Sequence, residues 1–163
     1  MVIFFTPDTK KLMDLSLKKQ VFAACQTRLS ERIADLREEM RETKLAASED
    51  TKSSAGDKYE TGRAMLDMER ERLSAHLNET GKMYDLLASL SATKLYEQVQ
   101  VGSLVATSRG IFYVSVGLGS VVVDGNAYYC ISPQSPMGQA LFGLSAGEET
   151  LFQGQAVQVM QVV

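Results

Sequence analysis

The chain has 163 residues, 45% of them hydrophobic, and a formal net charge of -3 from 17 Lys plus Arg against 20 Asp plus Glu. That is enough apolar content for a real core in one ordinary domain or two small ones. The acid excess disfavours a sequence-independent duplex binder, which depends on a strong basic field, so a partner has to be recognised locally.

Met1 to Phe5 is apolar, but it lacks a basic flank, is too short to span a bilayer, and runs directly into Pro7 and Asp8. No signal peptide or membrane span is expected, and the cytoplasm is the simpler location. Cys25 falls in a helical pattern and Cys130 in a strand pattern. Two thiols without CxxC spacing suggest neither a disulfide scaffold nor a zinc site. Both are expected to be small buried hydrophobes with no catalytic role.

Thr6-Pro7-Asp8 offers a helix start, with Thr6 as cap and Pro7 in the first turn, where its missing N–H costs nothing. Apolar residues then recur at heptad spacing as Leu15, Phe22, Leu29 and Leu36, with a second column at Ile33, Met40 and Ala47. This is one face of a long helix from about Thr9 to Ala47, and the mixed charges between are its solvated side. Ser48 to Gly56 has no apolar period, weak helix formers and a turn-compatible glycine, so the chain reverses there. A second helix is expected from Asp57 to Ser91, on the column Tyr59, Leu66, Leu73, Thr80 and Leu87 with Leu77 and Tyr84 beside it. Two such helices with a short link should pair antiparallel, with arms of roughly 50 to 60 Å. Residues 1–92 are accordingly one helical hairpin with its tip near 48–60. Gly62 and Gly81 each weaken the second helix by on the order of 1 kcal/mol relative to alanine. His76, the single histidine, is expected to face solvent rather than ligate.

After Ala92-Thr93-Lys94 charge thins, glycine rises and strand-like runs appear at Ser103 to Ser108, Ile111 to Val116, Ser120 to Asp124 and Tyr128 to Ile131. Residues 95–163 form a second domain with a mostly antiparallel sheet. Asp124-Gly125-Asn126 reads as a hairpin turn. Ser135 to Gly143 reads as a capped, proline-initiated short helix ended by glycine, and Gln155 to Val163 as a closing strand. The fold class is therefore α+β.

Two segments carry a resemblance. Ile131-Ser132-Pro133-Gln134-Ser135-Pro136-Met137-Gly138-Gln139-Ala140-Leu141-Phe142-Gly143 is similar to the Ile-Ser-x-x-Ser-Pro-(Ile/Met)-x-x-Ala-Leu signature of the bacterial Gre transcript-cleavage factors, and is followed, as there, by a Gly-(Asp/Glu) turn at Gly147-Glu148. Gly56-Asp57-Lys58-Tyr59-Glu60 matches that family's tip pattern Gly-Asp-x-x-Glu. The resemblance implies an FK506-binding-protein-like fold for the C-terminal domain, which docks on RNA polymerase through Ser135, Pro136 and Met137 while the hairpin enters the secondary channel. It also implies that Asp57 and Glu60 help hold a magnesium ion shared with the polymerase, whose own nuclease cuts backtracked RNA. The factor itself is then not an enzyme, needs no cofactor when free, meets the RNA 3' end only indirectly, reads no DNA sequence, touches no membrane and works as a monomer.

Magnesium suits such a role because it takes hard oxygen ligands, keeps several waters and is often held by only one or two carboxylates. Asp57 and Glu60 also fit a capping box, with Asp57 at N-cap and Glu60 at N3, and the two roles are compatible. The chain departs from the family after Glu60, where Thr61-Gly62-Arg63 replaces the usual Asn-Ala-Glu. Arg63 is placed either to pair with Glu60 or to contact transcript phosphate. Gln134 stands where the family commonly has an acid. The departures at 61–63 motivate an alternative, a non-cleaving regulator or inhibitor in the same channel. A peptidyl-prolyl isomerase follows from fold alone, which does not carry function. A coiled-coil adaptor pairing heptads between chains is the remaining class.

Overall fold

The structure, a computed structural model, describes residues 13–50 and 56–163, the side chains of 50 and 56–59 excepted. Helix α1 spans Leu15–Asp50 and α2 spans Gly56–Ser89. The expected Thr6-Pro7 start lies outside the described residues. Met13 and Asp14 are not helical, however, so the start expected at Thr9 gives way to Leu15. Asp14 is the cap: its carboxylate accepts the Leu17 amide at 2.9 Å, satisfying one of the orphan donors of the first turn. Met13 is held by Gln161, whose Oε1 accepts the Met13 amide at 3.1 Å and whose Nε2 donates to the Met13 carbonyl at 2.8 Å. That anchor comes from the far end of the chain, so the local sequence does not reveal it. At the other end, Ser48 to Asp50 remain helical and Gly56 already belongs to α2, so the expected break narrows.

The chain divides into two compact units, Arg28–Asp85 and the segment up to Thr27 joined by Leu86–Val163. Within Arg28–Asp85, Leu29, Leu36 and Leu73 are buried and Ile33, Met40, Leu66, Leu77 and Tyr84 half-buried, which is the predicted heptad face. The charge of Glu39 reaches Arg72. The solvent-accessible pairs Glu38–Arg41 and Glu69–Arg72 each join residues one turn apart, and such pairs contribute little.

In the other unit, six strands follow: β1 Leu104–Thr107, β2 Gly110–Val114, β3 Gly119–Val123, β4 Asn126–Ile131, β5 Glu149–Phe152 and β6 Gln155–Val162, with helix α3 at Pro136–Leu141. The sheet order is β3-β4-β2-β1-β6-β5. Four of the pairings are antiparallel, but β2 and β4 run parallel, with Phe112 opposite Tyr129 and Val114 opposite Ile131. The sheet is thus mixed rather than wholly antiparallel. β3 takes the outer edge of its hairpin, so β4 lands beside β2 in the same direction. Alternation of side chains is the same in both directions, so the sequence pattern does not register the difference.

Strand β5 was not expected; its residues alternate only between exposed and half-buried, so no buried apolar face marks it. Two turns explain the two-residue hairpins. Asp124 and Gly125 have φ of 50° and 78°, and Gln153 and Gly154 have 49° and 75°. Paired positive φ is the type I′ geometry that matches strand twist.

The two sheet faces bury different partners. Val105, Phe112, Val114, Val157 and Val159 form one core with Val99 and with Leu141 of α3, and Ile131, Met137, Leu144 and Phe152 pack against it. Leu104, Tyr113 and Cys130 point to the opposite face, where Cys25 of α1 meets Cys130. On α1 the buried positions here are Lys18, Val21 and Cys25, while the heptad residues Leu15 and Phe22 are only half-buried. No helix among the described residues is long and apolar enough to cross a membrane.

Candidate functional site

Asp57 and Glu60 lie at the start of α2, as its second and fifth residues, three apart and hence on one face of the helix. Acids in a first turn are stabilised by the amide end of the helix dipole. α2 already includes Gly56, so Asp57 is its second residue, and the expected capping box turns on a side chain that is not among those described. The Asp57 side chain lies outside the described residues. Glu60, Thr61 and Arg63 are exposed and Gly62 is half-buried. Among the described residues, ion pairs join Arg41 to Glu38 and Arg72 to Glu69; none joins Arg63 to Glu60. Among those residues no cluster of three or more His, Cys, Asp or Glu could hold a metal ion by itself. Two hard carboxylates one helical turn apart fit a magnesium ion that keeps most of its waters or takes its other ligands from a partner.

The second group of predicted residues is built around α3. Ser135 is its N-cap, with extended backbone and an Oγ that accepts the Gly138 amide at 3.1 Å. The same hydroxyl donates to the Ser132 carbonyl at 2.6 Å, and that carbonyl also accepts the Ser135 amide at 3.0 Å. Pro136 occupies the first helical position, where no N–H is needed, and is exposed. Met137 is half-buried and packs against the core. The three residues therefore differ: Ser135 fixes the helix start, Pro136 faces outward, and Met137 anchors the helix below.

The loop before α3 is pinned further. Ser132 Oγ donates to Gln134 Oε1 at 2.5 Å and accepts the Gln134 amide at 3.2 Å, and Gln139 Nε2 donates to the Gln134 carbonyl at 3.0 Å. Gln134, where an acid was expected from the family pattern, thus serves the loop itself. Gly138 allows the closest approach: a Cβ there would stand 2.2 Å from the Ser132 carbonyl oxygen and 3.0 Å from Pro133 Cα. Beyond the helix, Phe142 is 54% exposed. At the Gly147-Glu148 turn, the Glu148 carboxylate accepts the Ser145 amide at 2.6 Å.

Two features escaped the sequence analysis. Lys18 is fully buried, donating from Nζ to the carbonyls of Lys94 at 2.6 Å and Val163 at 3.2 Å, with the Tyr96 ring 4.4 Å away. Burial, reinforced by the charge of Lys94, lowers its pKa to about 8. Its signal was a lysine in register with Val21 and Cys25 on the buried stripe. Cys25 and Cys130 are buried as expected, but they touch each other, with Sγ atoms 3.0 Å apart. Tyr113 lies beside them, its hydroxyl buried without a hydrogen-bond partner and its pKa raised by burial and by the two cysteines. Of the C-terminal aromatics, Phe112, Tyr113 and Tyr128 are buried in the unit's interior.

Comparison with protein-family models finds no match, and neither does comparison with curated proteins. Among solved structures, that of the transcription factor Gfh1 is similar, at 24% identity and a TM-score of 0.35, covering 85% of this chain and 93% of that one. Likeness at that level decides neither partner nor activity.

Proposed function

We propose that this chain is a Gre-type transcription elongation factor that binds RNA polymerase and stimulates the polymerase's own cleavage of backtracked RNA. The observation that carries the proposal is the segment Ile131–Gly143, which matches the Gre signature in sequence. Its Ser, Pro and Gly each meet a local physical demand: cap, first helical position and close approach. Around that rigid start, Gln134, Pro136, Gln139 and Phe142 are exposed and offer a surface of fixed shape. In this role the segment docks on the polymerase.

Asp57 and Glu60 are the residues that would lend oxygen ligands to a magnesium ion in the polymerase site. A second magnesium there orients water and stabilises charge at phosphorus. The chain's contribution is to bring two carboxylates on one helix face. A site completed only by a partner requires no metal pocket in the free protein, and the factor performs no hydrolysis alone.

The test is RNA cleavage by backtracked polymerase complexes with wild-type protein and with Asp57→Asn combined with Glu60→Gln. Wild type should release RNA fragments, and the double variant should bind polymerase equally while losing the stimulation. Binding without any wild-type cleavage would overturn it.

A second reading rests on Thr61-Gly62-Arg63, which puts an exposed base where the family has an acid. It makes the chain a non-cleaving regulator of the same enzyme. A change in initiation or pausing without RNA fragments, insensitive to substitution of Asp57 and Glu60, would favour it.

A further inference from the structure

The fold brings two thiols, Cys25 and Cys130, into contact. Both are buried, at 0% and 1% exposure, and their Sγ atoms lie 3.0 Å apart. A covalent S–S bond is about 2.05 Å, so the sulfurs need to close by only about 1 Å, and each sits on a regular element, α1 and β4. The two positions are 105 residues apart in sequence, so chance encounter in an unfolded chain is rare and the native fold is what brings them together.

We propose that Cys25 and Cys130 are a dithiol–disulfide couple, oxidised by a hydroperoxide, that fastens α1 to β4. One thiol reduces the peroxide O–O bond, becoming a sulfenic acid and releasing the first water or alcohol. The other thiol attacks the sulfenic sulfur, the S–O bond breaks, and a second water leaves with the protons of the two thiols accounted for. In sum two thiols and one hydroperoxide give one disulfide, one alcohol or water, and one water. The Tyr113 hydroxyl, buried beside the pair without a partner, is a donor for the oxygen of the sulfenic intermediate. Because the sulfurs are covered, a small oxidant has the advantage. The product closes a covalent loop containing all of α2 and most of α1, with Asp57 and Glu60 inside it.

The experiment uses the full chain, reduced and then exposed to hydrogen peroxide, with peptide mapping under non-reducing conditions and thermal unfolding before and after. The expected result is a monomeric product lighter by two hydrogens, with the Cys25 and Cys130 peptides joined. Its unfolding temperature should rise and return on treatment with dithiothreitol. Closing a loop of this length lowers the unfolded population by on the order of a thousandfold. Cys25→Ser and Cys130→Ser should each abolish the link and the peroxide-dependent rise, and should instead give a sulfenic acid captured when the oxidised chain is unfolded in the presence of dimedone.

The wild-type mapping decides the matter even where a serine variant folds poorly. Both cysteines remaining thiols at peroxide levels that oxidise exposed methionines would overturn the proposal. So would passage of both to sulfinic acid without linkage, disulfides formed only between chains, or a linked form less stable than the reduced one.

Discussion

Gly138→Ala and Gly81→Ala are the same chemical change in two helices, and the structure assigns them opposite signs. At Gly138 the added methyl would lie 2.2 Å from the Ser132 carbonyl oxygen, against 3.4 Å or more for ordinary contact, so the loop and helix must part by more than about 1 Å. That oxygen accepts from both the Ser135 amide and the Ser135 hydroxyl. Weakening those bonds costs about 0.5–1.5 kcal/mol each, and the overpacking itself costs about 1–3 kcal/mol. Alanine returns about 1 kcal/mol through helix propensity. The net expectation is a loss of about 3 kcal/mol, within roughly 1–5. At Gly81 no atom lies within 4 Å of the built Cβ, so the propensity gain of about 1 kcal/mol stands alone. Urea unfolding, followed by far-UV and tyrosine near-UV circular dichroism, should place Gly138→Ala below wild type and Gly81→Ala above it. A Gly138→Ala midpoint equal to wild type, or both variants moving the same way, would refute the close approach that fixes the start of α3.

Asp14→Ala removes the α1 cap and should cost about 0.5–2 kcal/mol in the same assay, with Asp14→Asn recovering most of it. The buried Lys18 has a folded pKa depressed to about 8 from 10.5, so the unfolded chain holds that proton more tightly. Stability from this group is present above pH 10.5 and is lost as pH falls through about 8; Lys18→Met should flatten that slope. Tyr113 has the opposite sign. Its raised pKa favours the folded state below pH 10 and gives way at higher pH, so Tyr113→Phe should preserve stability in strong alkali better than wild type. Gly154 has φ of 75° in the β5–β6 turn, and Gly154→Val should cost at least about 1 kcal/mol, read as a lower thermal midpoint.

The sequence by itself determined the two long helices, because Leu29, Leu36, Leu73 and Leu87 repeat at a spacing that only a helix turns into one buried face. It also determined the capped start of α3, because Ser135 and Pro136 act on amides within one turn of themselves. Local chemistry is legible in local sequence. Asp57 and Glu60 were legible in the same way as two acids one turn apart, although the helix begins at Gly56, two residues earlier than a cap at Asp57 requires. Tertiary structure alone decided what depends on distant partners. Gln161 holds Met13 and so helps set where α1 begins; β4 pairs parallel to β2; Lys18 finds its carbonyls at Lys94 and Val163; and Cys25 meets Cys130. Each of these joins residues that no periodic pattern connects, and burial, not spacing along the chain, is what gives them their energy.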